Sequence, residues 1–443
     1  MRLPFYCIPQ IFFTGLVIYS PAVAMEAVSA FPLWASIIVS GLVSTIYTTL
    51  GGIKGVVITD ALQAVIIIGG LLAVSIYATF QTGGIRTVME TAKEKGRLDF
   101  FDFSLKPGLT FYSVTIGATF HTLTNFGIGQ GTIQRYSALP SLSSARKSIF
   151  GNIPALIAFN ALTTYSGLVV YAFYAKKRCD PLRAKYIQSP NQILPFFIND
   201  VLVLPGLSGI FLSVLFAGSL SSLSTLLNGM ALVTWTDFLA PIFKEVTERR
   251  RIIICKFLVI AYGIFAISTA FLANFSVKHV LRLSLSITGA FSGPTLGVFI
   301  LGATTRRATA AGVTIACLLS TSLMATLSLI NFFKPRQISM ENFPNSTTNC
   351  KVGLNFTESV QLNKESIHPV INFIYELSFL WYSLIGCLAS CFLGYIFSFF
   401  LSTAEQRERV DSKLLFSSIF KTSKIKSIQE QHKMLDLKEG AVI

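Results

Sequence analysis

Runs of about twenty consecutive apolar residues recur from one end of this 443-residue chain to the other, and that recurrence decides its fold class. A helix rising 1.5 Å per residue needs roughly 20 apolar residues to cross a bilayer. Such runs lie near 5–26, 33–50, 56–80, 110–128, 150–175, 206–236, 252–274, 279–302, 308–331 and 377–402. About ten transmembrane helices are therefore expected, in an all-α membrane protein whose transmembrane domain spans residues 1–402. Several runs are longer than one crossing requires, which predicts tilt or breaks within them. The short alternating segments of a β-barrel are absent from this pattern. At 52% hydrophobic and 13% charged residues, a soluble globular domain is excluded. The chain opens directly on a span too long to be the apolar region of a signal peptide.

The formal net charge of +15 would point to nucleic acid in a soluble protein. In a chain of membrane spans it has another reading, because short cytoplasmic loops collect lysine and arginine. Lys54, the group Arg135, Arg146 and Lys147, the run of Lys244 with Arg249, Arg250 and Arg251, and the pair Arg306 and Arg307 fall on alternate loops. Placing those loops in the cytoplasm puts both termini inside. No nucleic-acid partner is expected; the lipid bilayer is. The group Lys176, Lys177 and Arg178 falls outside in this scheme, against the charge rule, which longer loops obey poorly.

Between the last two spans, residues 332–376 form a long loop assigned to the exterior, carrying Asn345-Ser346-Thr347 and Asn355-Phe356-Thr357. Both are acceptor sequences for N-glycosylation, so Asn345 and Asn355 are expected to bear glycans. A third, at Asn274, abuts a span end and is too near the bilayer. Cys179 and Cys350 are the two cysteines in exterior loops, so they can pair as a disulfide. Residues 403–443 are polar and mixed in charge, and a disordered cytoplasmic tail is expected there. Its last residues, Gly440 to Ile443, could enter a peptide-binding groove.

One apolar helix carries chemistry. In residues 206–238, Gly218, Ser221, Ser222, Thr225 and Gly229 recur at the helical period and share one face. A line of hydroxyls in an apolar setting suits a hard cation such as sodium, which prefers oxygen ligands. Small residues also let two membrane helices approach closely, so the stripe alone leaves packing and cation binding open. Asp60, after the glycine pair Gly51 and Gly52, could cap a helix start or attract cations along an ion path. No histidine or cysteine cluster has metal-ligand spacing, and no nucleophile motif or acid–base pair marks an enzyme. A channel reading lacks a filter-like carbonyl loop or a charge ring.

Several strings go further. The run LVSTIYTTLGGIKGVVITDALQAV at 42–65 resembles the signature region of the sodium:solute symporter family, with its paired glycines and TD-x-x-Q. Collinear matches follow at 13–25, at 127–136 (GIGQGTIQRY), at Cys179-Asp180-Pro181, at 191–200, at 205–211 and at 292–297. Their order is similar to the branch that carries monocarboxylates, vitamins and iodide. The resemblance implies a LeuT-type inverted-repeat transporter, with sites at the midplane beside broken helices. It also implies that this chain starts at the third core helix, lacking the leading helix and the first two core helices.

The function so implied is sodium-coupled symport of a small organic anion, vitamin or halide across the plasma membrane, with sodium as coupling ion and no other cofactor. A truncated, transport-incompetent or regulatory fragment of such a transporter is the alternative. By resemblance the sodium ligands are the Gly218 carbonyl and the Ser221 and Ser222 hydroxyls, with Asp60 on the ion path. The segment from His121 to Tyr136 matches a cavity-lining helix, so Thr122, Asn125, Phe126 and Gln130 are expected to face substrate. Arg282 could meet a carboxylate there or snorkel to the surface. The sequence departs from the branch at Gly129, where asparagine is usual, and at Asn125, where an apolar or aromatic residue is usual. The resemblance accordingly carries no substrate identity.

Overall fold

The computed structural model describes residues 2–29, 31–99, 101–103, 109–187, 190–201, 206–243, 245–276, 280–333, 349–350, 378–402 and 415–416. Its elements are helical throughout. They are α1 (Arg2–Ser29), α2 (Leu33–Thr82), α3 (Ile85–Glu94), α4 (Ala118–Leu123), α5 (Gln130–Ser137), α6 (Leu142–Lys177), α7 (Ile193–Val201), α8 (Leu207–Val233), α9 (Ala240–Ile242), α10 (Glu248–Ser276), α11 (Val280–Thr304), α12 (Ala310–Phe333) and α13 (Trp381–Leu401).

Eight helices among the described residues are long and apolar enough to cross a membrane, against ten apolar runs in the sequence. The difference has two local causes. The runs at 33–50 and 56–80 form one 50-residue element, α2, interrupted at Gly52, where φ is 53° and ψ is −156°. Glycine alone enters that backbone region cheaply. The run at 110–128 is broken into pieces too short to count. Wide π-type turns at Ser113–Gly117 and Thr124–Ile128 flank α4. Gly129 then leaves the helix at ψ 124°. A Cβ on Gly129 would lie 2.3 Å from the Asn125 carbonyl oxygen, so this break admits only glycine.

The interruption at Gly52 doubles α2 back on itself. Just ahead of its start, the Ala27 carbonyl accepts from Asn199 Nδ2 at 2.9 Å. Near its end, Val74 and Ala78 share a core with Phe197 and Ile198 of the same short helix, α7. A straight helix of this length would hold its ends about 75 Å apart. Both ends thus lie together, with Gly52 and Lys54 at the turn on the opposite side, the basic end of the bundle.

Helix α8 sits at the centre, against α1, both halves of α2, and α10. Its Leu223, Leu227 and Met230 are buried with Ile18 of α1 and with Ala266 and Ala270 of α10. Lipid tails are as apolar as leucine, so close backbone approach, rather than exclusion from water, drives such contacts. A Cβ on Gly15 would sit 2.3 Å from Thr269 Oγ1, and one on Gly263 would sit 2.2 Å from Thr45 Oγ1. On the far side, α13 packs into α11 through Gly293, Gly297 and Gly386.

Two element boundaries differ from the sequence expectation. Helix α6 starts at Leu142 rather than near 150, because Ser141 caps it by accepting from the Ser144 amide at 3.1 Å. The α8 helix continues through a wide turn at Thr234–Leu239 into α9, six residues beyond the expected end of the span at 236. Most of 332–376 and of 403–443, with Asn345, Asn355 and the terminal Gly440–Ile443, lies outside the described residues.

Candidate functional site

The hydroxyl stripe of α8 faces the second half of α2. Ser221 Oγ donates to Asp60 Oδ1 at 2.7 Å. Ser222 Oγ donates to the Gly218 carbonyl at 3.0 Å, which places two of the three candidate sodium ligands in direct contact. Ser224 turns back on the Ser221 carbonyl at 3.0 Å. Helix back-bonding leaves each hydroxyl oxygen its lone pairs, so these groups remain cation acceptors. The donor set is all oxygen, with one carboxylate adjacent. That fits an alkali cation, whose full shell takes more oxygens than these three.

Asp60 is not a helix cap. The second half of α2 begins just after Gly52, so Asp60 falls two turns inside the helix, where its backbone N–H groups are already bonded. Its carboxylate points sideways to α8 and α5. Arg135 pairs with Asp60 Oδ2 and also donates to Thr225 Oγ1 at 2.6 Å. The Asp60 side chain is 13% exposed. Sequence reasoning treated Arg135 only as a charge on a basic loop. The available signal was its place in the string at 127–136, six residues after the Gly129 break. Tyr47, from the first half of α2, closes the group by donating to the Leu220 carbonyl at 2.7 Å.

The segment expected to face substrate divides, its α4 part packing towards α11 and α13 and its α5 part against α8. Thr122, Asn125 and Phe126 are exposed on α4 and the wide turn after it, and Gln130 is half-buried at the start of α5. His121 bridges elements here, with Ser383 Oγ of α13 at 3.4 Å from Nδ1 and Asn125 Nδ2 at 3.4 Å from Nε2. Arg282 lies in α11, and its side chain falls outside the described part. A cavity of about 640 Å³ opens elsewhere, between the second half of α2, α6, α7 and α8. Gly218 is in its lining, beside Gly70, Val214 and Tyr171, whereas Thr122, Asn125, Phe126 and Gln130 are not. The cavity therefore touches the hydroxyl stripe but not the polar segment, because α4 packs towards α11 and α13.

At the end opposite Gly52, Cys179 is joined to Cys350 by a disulfide that links positions 171 residues apart. Asn349 adds a backbone bond to the Arg178 carbonyl at 3.3 Å. Beside the disulfide, buried Asp180 accepts from the amides of Leu182 at 2.9 Å and Arg183 at 3.2 Å. Burial pushes the Asp180 carboxyl above its ordinary range, and the two amides and the Arg183 charge oppose that shift. Lys176 donates to the Thr82 carbonyl at 3.1 Å and Lys177 pairs with Asp200 at 2.5 Å. These bonds occupy a basic group that the charge rule would have placed on the other face.

The profile of the sodium:solute symporter family matches residues 9–320. A mouse protein named sodium-coupled monocarboxylate transporter 2 is 35% identical over 418 residues, covering 94% of this chain and 67% of its own length. Its human counterpart is 34% identical, over 91% of this chain and 65% of its own length. A fruit-fly protein named as a sodium-dependent multivitamin transporter is 32% identical, over 89% of this chain and 66% of its own length. The chain thus spans about two thirds of these relatives. Among solved structures, a substrate-bound, outward-open Na+-coupled sialic acid symporter superposes with a TM-score of 0.69 at 19% identity, covering 91% of this chain and 74% of that one. That likeness assigns the fold, an all-α membrane architecture of the LeuT type.

Proposed function

We propose that this chain, which belongs to the sodium:solute symporter family, takes part in sodium-coupled symport of a small organic anion, a monocarboxylate or a vitamin, across the plasma membrane. Secondary transport, not enzymatic catalysis, is the activity of the family. The observation that carries the reading is the α8 stripe, where the Gly218 carbonyl and the Ser221 and Ser222 hydroxyls sit beside a carboxylate on an otherwise apolar helix.

Those three oxygens would supply part of a sodium shell, and a bound sodium would link the inward movement of charge to solute movement. The Asp60 carboxylate, 2.7 Å from Ser221, would offer a negative potential to a cation on its way to the basic end. By the charge rule that end faces the cytoplasm. Thr122, Asn125, Phe126 and Gln130 would meet solute beside the Gly129 break, and Arg282 would offer a cation to a carboxylate. Asn345 and Asn355 would carry glycans on the opposite face.

The test is uptake of a radiolabelled short-chain monocarboxylate, pantothenate or iodide into cells expressing the chain, with sodium replaced in turn by potassium and by choline. Uptake of at least one solute that collapses without sodium is expected. Equal uptake in all three salts for every solute would overturn symport.

A further inference from the structure

Helix α5 is a short piece of chain held against the bundle at two points on one face. Gly131 and Arg135 are four residues apart, so they stack on the same side of the helix. Gly131 lies so close to α8 that a Cβ there would be 2.5 Å from Thr225 Cγ2. One turn later Arg135 reaches Thr225 Oγ1 at 2.6 Å and Asp60 Oδ2, using one terminal nitrogen for both. Asp60 in turn holds Ser221 through its other oxygen at 2.7 Å. A single guanidinium therefore ties α5 to α8 and to the second half of α2, beside the hydroxyls of the stripe. At the other end of α5, Gly129 has left the helical backbone, so α5 is hinged there and clasped at Arg135.

We propose that Arg135 is the latch of a gate on the basic side of the hydroxyl stripe. With the latch closed, the tethered guanidinium fills the space beside Asp60, whose other oxygen holds the half-buried Ser221. A free cation leaving the stripe meets a carboxylate whose counter-charge is already in place, and the path opens only when α5 swings out about Gly129. Breaking the pair leaves a carboxylate that is 13% exposed without its counter-charge, which makes the open state the less populated one. What passes the gate rests on the symport reading. The latch itself rests on these contacts.

The latch is tested by a reporter thiol. Ser221→Cys, in the full chain in inside-out vesicles, is treated with a charged, membrane-impermeant methanethiosulfonate, and the extra modification relative to the parent is followed in time. Arg135→Gln is expected to speed modification about tenfold. Exchanging the charges, Asp60→Arg with Arg135→Asp, is expected to return the slow rate. Arg135→Lys keeps the charge on a shorter side chain and is expected to fall between; it also serves if the glutamine variant does not fold. Unchanged modification in Arg135→Gln, or a charge exchange as fast as Arg135→Gln alone, would overturn the latch. Modification needs no transport, so faster labelling without sodium-driven uptake would refute symport and leave the latch standing. Sodium-driven uptake with unchanged labelling would refute the latch alone.

Discussion

Ser221 and Asp60 are 161 residues apart in sequence, and their side chains meet at 2.7 Å, the hydroxyl donating to the carboxylate. That bond joins the hydroxyl face of α8 to the second half of α2. It also means that the oxygen-lined face carries a charge as well as neutral hydroxyls.

Removing oxygens from this face should weaken sodium. Ser221→Ala and Ser222→Ala are each expected to raise the sodium concentration for half-maximal uptake about ten- to hundredfold, as for loss of a charge-assisted contact of roughly 1.5–3 kcal/mol. Leu223, buried with Leu227 and Met230 on another face, should accept Leu223→Met with no such shift. A sodium titration of uptake for the three variants decides it. Unchanged sodium dependence in both serine variants would leave the stripe as helix packing.

The contact of α2 with α10 sets a second expectation. Gly263→Ala would place a methyl 2.2 Å from Thr45 Oγ1, so the two helices must separate. A loss of about 1–3 kcal/mol follows from overpacking. Thr45→Ala removes the atoms in the way at little cost, since its hydroxyl bonds back to the Gly41 carbonyl of its own helix at 2.7 Å. The double variant should therefore melt near the parent in detergent while Gly263→Ala melts several degrees lower. Additive losses would show that Thr45 does not set the spacing.

Topology gives a third. The disulfide joins Cys179 to Cys350, and the sequons at Asn345 and Asn355 fall five residues to either side of Cys350 in sequence, so all are expected on one face. Endoglycosidase should increase the gel mobility of protein made in cells. A membrane-impermeant maleimide on intact cells should label Cys350→Ser, through the released Cys179, and not the parent. Labelling only after permeabilisation would reverse the orientation.

Asp180 provides a pH test. Its carboxyl is raised by burial, so the folded state holds the proton more tightly than the unfolded chain does. The linked stability is present at low pH and is lost as pH rises from the unfolded value, near about 4, through the raised folded one. Asp180→Asn keeps an acceptor for the amides of Leu182 and Arg183 and should abolish this pH dependence with little loss at neutral pH. Asp180→Ala strands two amides and should cost about 1–3 kcal/mol. Thermal unfolding in detergent across pH 4–8 reads both; identical pH profiles in parent and Asp180→Asn would refute the burial argument.

The sequence by itself determined the features that live within one helix. Apolar run length decides what can cross a bilayer, so the membrane class was legible without coordinates. The 3.6-residue period put Gly218, Ser221, Ser222 and Thr225 on one face, and the collinear strings from 13–25 to 292–297 carried the family. What only the tertiary structure decided is which faces meet. Gly51 and Gly52 marked a gap between two runs, but the positive φ of Gly52 is what folds α2 back and brings Asp60 alongside α8. Arg135 read as one more loop charge, because nothing within its own helix names a partner 75 residues earlier. The polar segment at 122–130 looked like the wall of a cavity, yet the cavity that touches Gly218 is built by α2, α6, α7 and α8. A helix's period fixes the direction of its side chains relative to one another, and packing alone chooses what stands opposite them.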